Sequence, residues 1–148
     1  MDRPKSTDIP DLNILAVEDQ LPALRLLKSI LADIGIRQVY TARTGKEALA
    51  FLDDCETMID VILCDWNMPG MSGLELLRQI RTVNPDIPFL MVTGASDRDS
   101  VVQAKKNGVT GYIVKPYSKD ALEKKVRLLL RVLDSKRSTE QSACQIGA

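Results

Sequence analysis

Short apolar runs alternate with longer amphipathic segments along this chain. Four runs are clear, at residues 14–17, 61–64, 89–92 and 112–114, and a shorter one lies at Val39 and Tyr40. Runs of this length favour buried strands, and the segments between them carry apolar residues at helical spacing. Strands that alternate with helices indicate βα units and a parallel sheet. We therefore predict an α/β fold of five βα units, with a doubly wound five-stranded parallel sheet.

The predicted helices define the borders of one domain. The first ends at Gly35, and the third opens with Ser72 and Glu75 at the spacing of a capping box. The fifth carries an apolar stripe that ends at Leu133. We predict a domain over residues 13–133, an N-terminal tail over residues 1–12, and a flexible C-terminal tail over residues 134–148, because both ends are polar and lack periodicity.

Composition excludes several classes of function. The 148 residues include 20 Lys and Arg against 20 Asp and Glu, so no basic field attracts nucleic acid. No apolar run is long enough to cross a bilayer, which favours a cytoplasmic protein without membrane contact. The chain has no histidine, which excludes a histidine-based triad, an imidazole zinc site and a phosphohistidine on this chain. The three cysteines show no Cys-x-x-Cys pair, and we expect reduced thiols.

Polar residues follow four of the apolar runs directly. Glu18 and Asp19 follow the first run, Asp65 the third, Thr93 the fourth and Lys115 the fifth. In a sheet of order 2-1-3-4-5 the first and third strands are neighbours, so the three acids should converge at the carboxyl edge. Taken alone, Asp19 could instead cap the first helix. The joint placement at successive strand ends favours a functional site.

An acidic cluster beside a lysine suggests a divalent cation and phosphate. Two carboxylates about 4 Å apart repel by roughly 4 kcal/mol at an effective dielectric near 20, so a cation is needed. Mg²⁺ suits such oxygen ligands, and Mn²⁺ could substitute for it. Asp65 is then the candidate nucleophile toward phosphorus, since it ends the central strand. Lys115 and Thr93 would contact the oxygens of the phosphoryl group.

At these positions the chain resembles the receiver domain of two-component response regulators, over about residues 13–133. The resemblance rests on the following elements together: Glu18-Asp19, Asp65-Trp66-Asn67-Met68-Pro69-Gly70-Met71-Ser72-Gly73, Thr93-Gly94 and Lys115-Pro116. It implies the flavodoxin-like (βα)5 receiver fold. It also implies a signalling protein similar to chemotaxis regulators, either stand-alone or an excised receiver domain, and not an enzyme, although slow autodephosphorylation is left open.

The resemblance assigns a role to each site residue. It implies that Asp65 is the phosphoacceptor and that Asp19, Asp65 and the backbone carbonyl of Asn67 hold Mg²⁺, with Glu18 acting through a water. Thr93 and Tyr112 would form the switch pair, and the Lys115-Pro116 peptide bond would be cis. The implied partners are a sensor histidine kinase or histidine phosphotransfer protein and an unidentified protein effector, and homodimerisation on phosphorylation is left open.

Three other functions compete with this interpretation. A haloacid dehalogenase-type phosphatase would need an Asp-x-Asp at the end of the first strand, where this chain has adjacent acids. A flavodoxin-like electron carrier would need a Ser/Thr/Gly-rich phosphate loop at that place. The third is a receiver fold that is never phosphorylated and serves only as an interaction module, which an intact acid pocket disfavours.

Overall fold

A computed structural model describes residues 11–54, 58–94 and 98–147, with side chains described as far as residue 133. Strands and helices alternate throughout this part of the chain. They are β1 (Asn13–Val17), α1 (Leu21–Ile34), β2 (Gln38–Ala42), α2 (Gly45–Asp54), β3 (Val61–Asp65), α3 (Gly73–Val83), β4 (Phe89–Thr93), α4 (Arg98–Lys106), β5 (Gly111–Val114) and α5 (Lys119–Gly147).

The five strands form one parallel sheet. Their order is β2-β1-β3-β4-β5, which confirms the predicted topology. The chain starts in β1, passes to the edge strand β2, and returns to the other side of β1 at the central strand β3. This reversal between β1 and β3 is the topological switch point, where open α/β sheets bind their ligands.

The sheet has a hydrophobic cluster on each face, because successive strand residues point to opposite sides. Ile14 and Leu63 belong to the cluster under α1 and α5, whereas Leu15 and Cys64 belong to the cluster under α2, α3 and α4. The central strands are therefore buried on both faces, as their uninterrupted apolar sequences predict. Cys64 is a fully buried free thiol whose pKa is raised by burial and by the neighbouring charge of Asp65, in line with a packing role.

Local signals in the sequence mark the helix ends correctly. Gly35 ends α1 in the left-handed conformation, with φ of 116°, which glycine adopts without strain. Ser72 and Glu75 form the reciprocal bonds of a capping box at the start of α3. At the start of α1 the cap residue is Gln20, with no side-chain cap bond. The carboxylate of Asp19 therefore does not cap the helix.

The structure adds one feature at each border of the predicted domain. Leu12 is 2% exposed and packs in the cluster under α1 and α5, so the core begins within the predicted N-terminal tail, of which residues 1–10 lie outside the described part. Helix α5 continues to Gly147, beyond the predicted border at Leu133. The apolar stripe does end near Leu133, but residues 134–146 contain no glycine or proline to stop the helix.

Candidate functional site

The carboxyl edge of the sheet carries every polar strand end that the sequence singles out. Asp65 and Thr93 are the last residues of β3 and β4, while Glu18 and Lys115 directly follow β1 and β5. Backbone bonds extend the sheet pairing into these positions: Glu18 N–H donates to Ala42 O at 3.0 Å and Lys115 N–H donates to Thr93 O at 2.7 Å. The site is therefore built on the rigid sheet as well as on its loops.

The three acids converge at the switch point between β1 and β3. One carboxylate oxygen from each of Glu18, Asp19 and Asp65 lies within 4.8 Å of the others, so the set could hold a metal ion. Glu18 and Asp65 are buried, at 3% and 6% exposure, and Asp19 is partly exposed. Oxygen-only ligands in this number suit a hard divalent cation that keeps some of its waters. The residues present therefore fit the metal that the sequence predicts.

Lys115 reaches into this cluster from the end of β5. Its Nζ lies 2.8 Å from Glu18 Oε1 and 3.8 Å from Asp65 Oδ1. The lysine therefore makes its short ion pair with the glutamate and a longer contact with the candidate phosphoacceptor. The Lys115–Pro116 peptide bond is cis, as the resemblance implies.

The pKa of Asp65 is raised from an ordinary 3.8 to about 6. The largest cause is burial, and the charge of Glu18 together with a hydrogen bond to it raises the pKa further. The Lys115 ammonium and the Asn67 N–H, which donates to Asp65 Oδ1 at 3.4 Å, act in the opposite direction. The surroundings of Asp65 therefore disfavour its charged form, and a cation in the cluster would offset this effect.

The loop after β3 keeps Asp65 at a fixed position relative to α3. Gly73 N–H donates to Trp66 O at 2.9 Å, and a Cβ at Gly73 would lie 2.7 Å from Asp65 O and 2.9 Å from Trp66 Cα. Only glycine permits this close approach, since both contacted atoms belong to the backbone. The side chain of Asn67 is exposed, and its backbone lies beside the carboxylate of Asp65.

Thr93 and Tyr112 lie on the neighbouring strands β4 and β5. Thr93 is 1% exposed at the end of β4, and Tyr112 pairs with Met91 and is half-buried. Lys105 Nζ from α4 and Lys125 Nζ from α5 lie 5.9 and 5.2 Å from the centre of the Tyr112 ring. The tyrosine therefore contacts both helices that flank β5.

Two site contacts have no counterpart in the sequence analysis. Gln20 N–H donates to Glu18 Oε2 at 3.1 Å, and Arg43 Nη2 donates to Asp19 O at 3.0 Å. Arg43 follows β2, a strand for which the sequence analysis predicted no chemistry. The sequence did contain a signal for this contact. The carboxyl end of β2 must lie at the same edge of the sheet as Glu18, and the cationic Arg43 is the residue that directly follows β2.

Fold and site together define an α/β domain whose acidic pocket is compatible with Mg²⁺ and an aspartyl phosphate. Residues 14–127 match the family model described as the response regulator receiver domain. The chain belongs to this family. Within the described residues, no helix combines the length and the apolar character needed to cross a bilayer.

Relatives with similar sequences include chemotaxis response regulators. The chain is 38% identical over 117 residues to chemotaxis protein CheY of Pseudomonas aeruginosa, a match that covers 78% of this chain and 93% of the relative. It is 36% identical over 118 residues to CheY-3 of Vibrio cholerae, covering 78% of this chain and 89% of that protein.

Solved structures show the same fold. CheY4 of Vibrio cholerae has a TM-score of 0.73 at 32% identity, covering 81% of this chain and 99% of that chain. NtrX of Brucella abortus has a TM-score of 0.82 at 28% identity, and the match covers 89% of this chain but only 29% of NtrX. The family match and the sequence relatives favour a receiver domain over the dehalogenase-type phosphatase and the flavodoxin-like electron carrier.

Proposed function

We propose that this protein is a phosphorylation-dependent response regulator in a two-component phosphorelay, with Asp65 as the phosphoacceptor. The observation that carries the proposal is the placement of Asp65 at the end of the central strand. Its carboxylate lies in one cluster with those of Glu18 and Asp19 and 3.8 Å from the Lys115 ammonium. This combination offers an oxygen nucleophile between a metal site and a fixed positive charge.

Asp19, Asp65 and the backbone carbonyl of Asn67 would hold Mg²⁺, and Glu18 would act through a bound water. When bound, Mg²⁺ neutralises charge on the phosphoryl oxygens, and Mn²⁺ could substitute for it. The carboxylates and the carbonyl supply the oxygen donors that this cation prefers. A metal in the cluster would also keep Asp65 ionised and therefore nucleophilic, against the burial that raises its pKa.

The phosphoryl donor must be another protein or a small phosphodonor, since the chain contains no histidine. A carboxylate oxygen of Asp65 would attack the phosphorus of a partner's phosphohistidine and form a P–O bond. The P–N bond would break, and its electron pair would return to the imidazole nitrogen. Lys115 and the hydroxyl of Thr93 would neutralise and bind the oxygens of the transferred group. A histidine kinase or a histidine phosphotransfer protein would serve as the partner.

Phosphorylation would then change a surface formed by α4, β5 and α5. The new charge would draw Lys115 from Glu18 onto the phosphoryl oxygens, move Thr93 toward them and turn Tyr112 inward. The contacts of Tyr112 with Lys105 and Lys125 support this path, because a movement of the ring would alter both α4 and α5. The output would be binding of a protein effector, so the chain would act as a signalling protein and not through turnover of a substrate.

The direct test combines phosphorylation with a fluorescence measurement. We expect incubation with Mg²⁺ and acetyl phosphate to add one phosphoryl group, detected by intact mass, and to change the emission of Trp66. This tryptophan adjoins Asp65, is 6% exposed, and is the single tryptophan in the chain. Omission of Mg²⁺ should abolish the mass increase, because the charge of the phosphoryl group would then be unbalanced.

Two variants make the test specific. Asp65→Asn removes the nucleophile and should show no adduct. Asp54→Asn removes an exposed acid at the end of α2 and should behave as wild type. Labelling of Asp65→Asn at the wild-type level would refute the assignment of the phosphoacceptor.

A further inference from the structure

The turn between β2 and α2 contacts the metal-binding loop through one side chain. Arg43 Nη2 donates a hydrogen bond to the backbone carbonyl of Asp19 at 3.0 Å, across 24 positions of sequence. Among the described residues, Arg43 is the one residue outside the loop between β1 and α1 that forms a hydrogen bond with Asp19. The other bond to Asp19 comes from its neighbour Gln20, whose Nε2 donates to Asp19 Oδ2 at 3.3 Å.

Arg43 is itself held in place by the start of α2. Its backbone N–H donates to Glu47 Oε1 at 2.9 Å, and Glu47 N–H donates to Thr44 Oγ1 at 3.0 Å. On the other side, the pairing of β1 with β2 continues through the bond from Glu18 N–H to Ala42 O. The backbone of Arg43 is therefore fixed between a strand end and a helix start, and its side chain reaches the loop from a rigid base.

We propose that Arg43 is a positioning residue, which holds the Asp19 backbone so that the Asp19 carboxylate points into the acidic cluster. The inference rests on the proposed metal-binding function and adds β2 and α2 to the elements that control it. Groups that orient the ligands of a metal commonly change its affinity without touching it.

The charge of Arg43 and its hydrogen bond would act on a metal in opposite directions. A guanidinium near the cluster repels a divalent cation, and its removal would tighten binding if charge were its only effect. The bond to Asp19 pre-orients a ligand, and its removal would weaken binding. The sign of the change in affinity therefore separates a positioning role from a simple electrostatic one.

The test compares Arg43→Ala with Arg37→Ala, titrating Mg²⁺ into each purified variant and following Trp66 fluorescence. Arg37 is an exposed arginine just before β2, at the opposite end of the same strand, so its replacement removes an equal charge far from the site. We expect Arg43→Ala to bind Mg²⁺ about five- to tenfold more weakly than wild type. Arg37→Ala should bind within about twofold of wild type, because this charge lies at the far end of β2 and salt screens its effect on the cluster.

A second measurement uses the metal-free protein. The Gln20 amide donates to Glu18 Oε2 within the same loop, and we expect its hydrogen exchange to be several-fold faster in Arg43→Ala than in wild type. Unchanged or tighter Mg²⁺ binding in Arg43→Ala, or unchanged exchange at Gln20, would overturn the proposal. If wild type itself shows no response to Mg²⁺, the proposed metal-binding function fails. Unchanged hydrogen exchange at Gln20 in Arg43→Ala would then also refute the positioning role of Arg43.

Discussion

Replacement of Asp65 by asparagine should stabilise the metal-free protein at neutral pH. Asparagine keeps the shape of the side chain and removes the charge that the cluster disfavours. In the folded protein the pKa of Asp65 is raised from 3.8 to about 6, mainly by burial and then by Glu18. The folded state therefore binds a proton on Asp65 more tightly than the unfolded chain does.

The sign of the effect follows from this difference. Below pH 3.8 the carboxyl group is protonated in both states and costs nothing. As the pH rises from 3.8 to about 6, the unfolded chain loses its proton first, and the folded state becomes less stable. At about 1.4 kcal/mol for each tenfold change in proton affinity, the full cost above pH 6 is about 3 kcal/mol. Structural relaxation around the buried charge lowers this value, so we expect a gain of about 1 to 3 kcal/mol for Asp65→Asn at pH 7.5.

Urea denaturation in EDTA, followed by far-ultraviolet circular dichroism, measures this gain at pH 4.5 and pH 7.5. About two thirds of the difference between the variant and wild type should disappear at pH 4.5, because that pH lies near the lower end of the titration. Asp33→Asn, at an exposed position on α1, is the control and should show no such dependence. Addition of Mg²⁺ should stabilise wild type more than Asp65→Asn. A gain that is equal at both pH values, or a loss at pH 7.5, would refute the reasoning.

Two further predictions test neighbouring parts of the site. Lys115→Ala should bind Mg²⁺ about tenfold more tightly in fluorescence titration, because the ammonium 2.8 Å from Glu18 no longer competes with the metal. The variant should also respond poorly to phosphorylation. Weaker Mg²⁺ binding than in wild type would contradict the first expectation. Gly73→Ala should lower the free energy of unfolding by about 1 to 3 kcal/mol, because its Cβ would overlap the backbone of Asp65 and Trp66. Gly94→Ala is the matched control for the glycine, since a Cβ there meets nothing within 4 Å, and equal losses in the two variants would count against the steric explanation.

The strand order and the acidic cluster could be predicted because both follow from periodicity. Parallel strands place their carboxyl ends at one edge, so Asp65 and Thr93 had to lie there once the five runs were identified as strands. The capping box at Ser72 could be predicted for a similar reason, since it depends on residues only three positions apart. Such signals are local or repeat regularly along the chain, and the structure preserves them.

Other features depend on side-chain reach across the fold and leave no periodic signal. The sequence places Lys115 at the edge of the sheet but does not show that its short contact is with Glu18, because that depends on how the two side chains meet in space. The bond from Arg43 to Asp19 likewise depends on how far a long side chain extends over the neighbouring loop. The sequence analysis also ended α5 too early, at Leu133, because it relied on the apolar stripe. A helix can continue on intrinsic helix propensity after such a stripe has ended.

The contacts of the acidic cluster indicate how metal binding would prepare the site for the proposed phosphoryl transfer. A proton on Asp65, the ammonium of Lys115 and a divalent metal all balance the same negative charge, so each weakens the binding of the others. In the structure Lys115 partly fills this role by pairing with Glu18, which leaves Asp65 with the longer contact. A metal that enters the cluster would lower the pKa of Asp65 and weaken the hold of Glu18 on Lys115. On the proposed function, the carboxylate of Asp65 would then be held fully ionised while Lys115 is released to bind the incoming phosphoryl group, so metal binding would prepare both residues together.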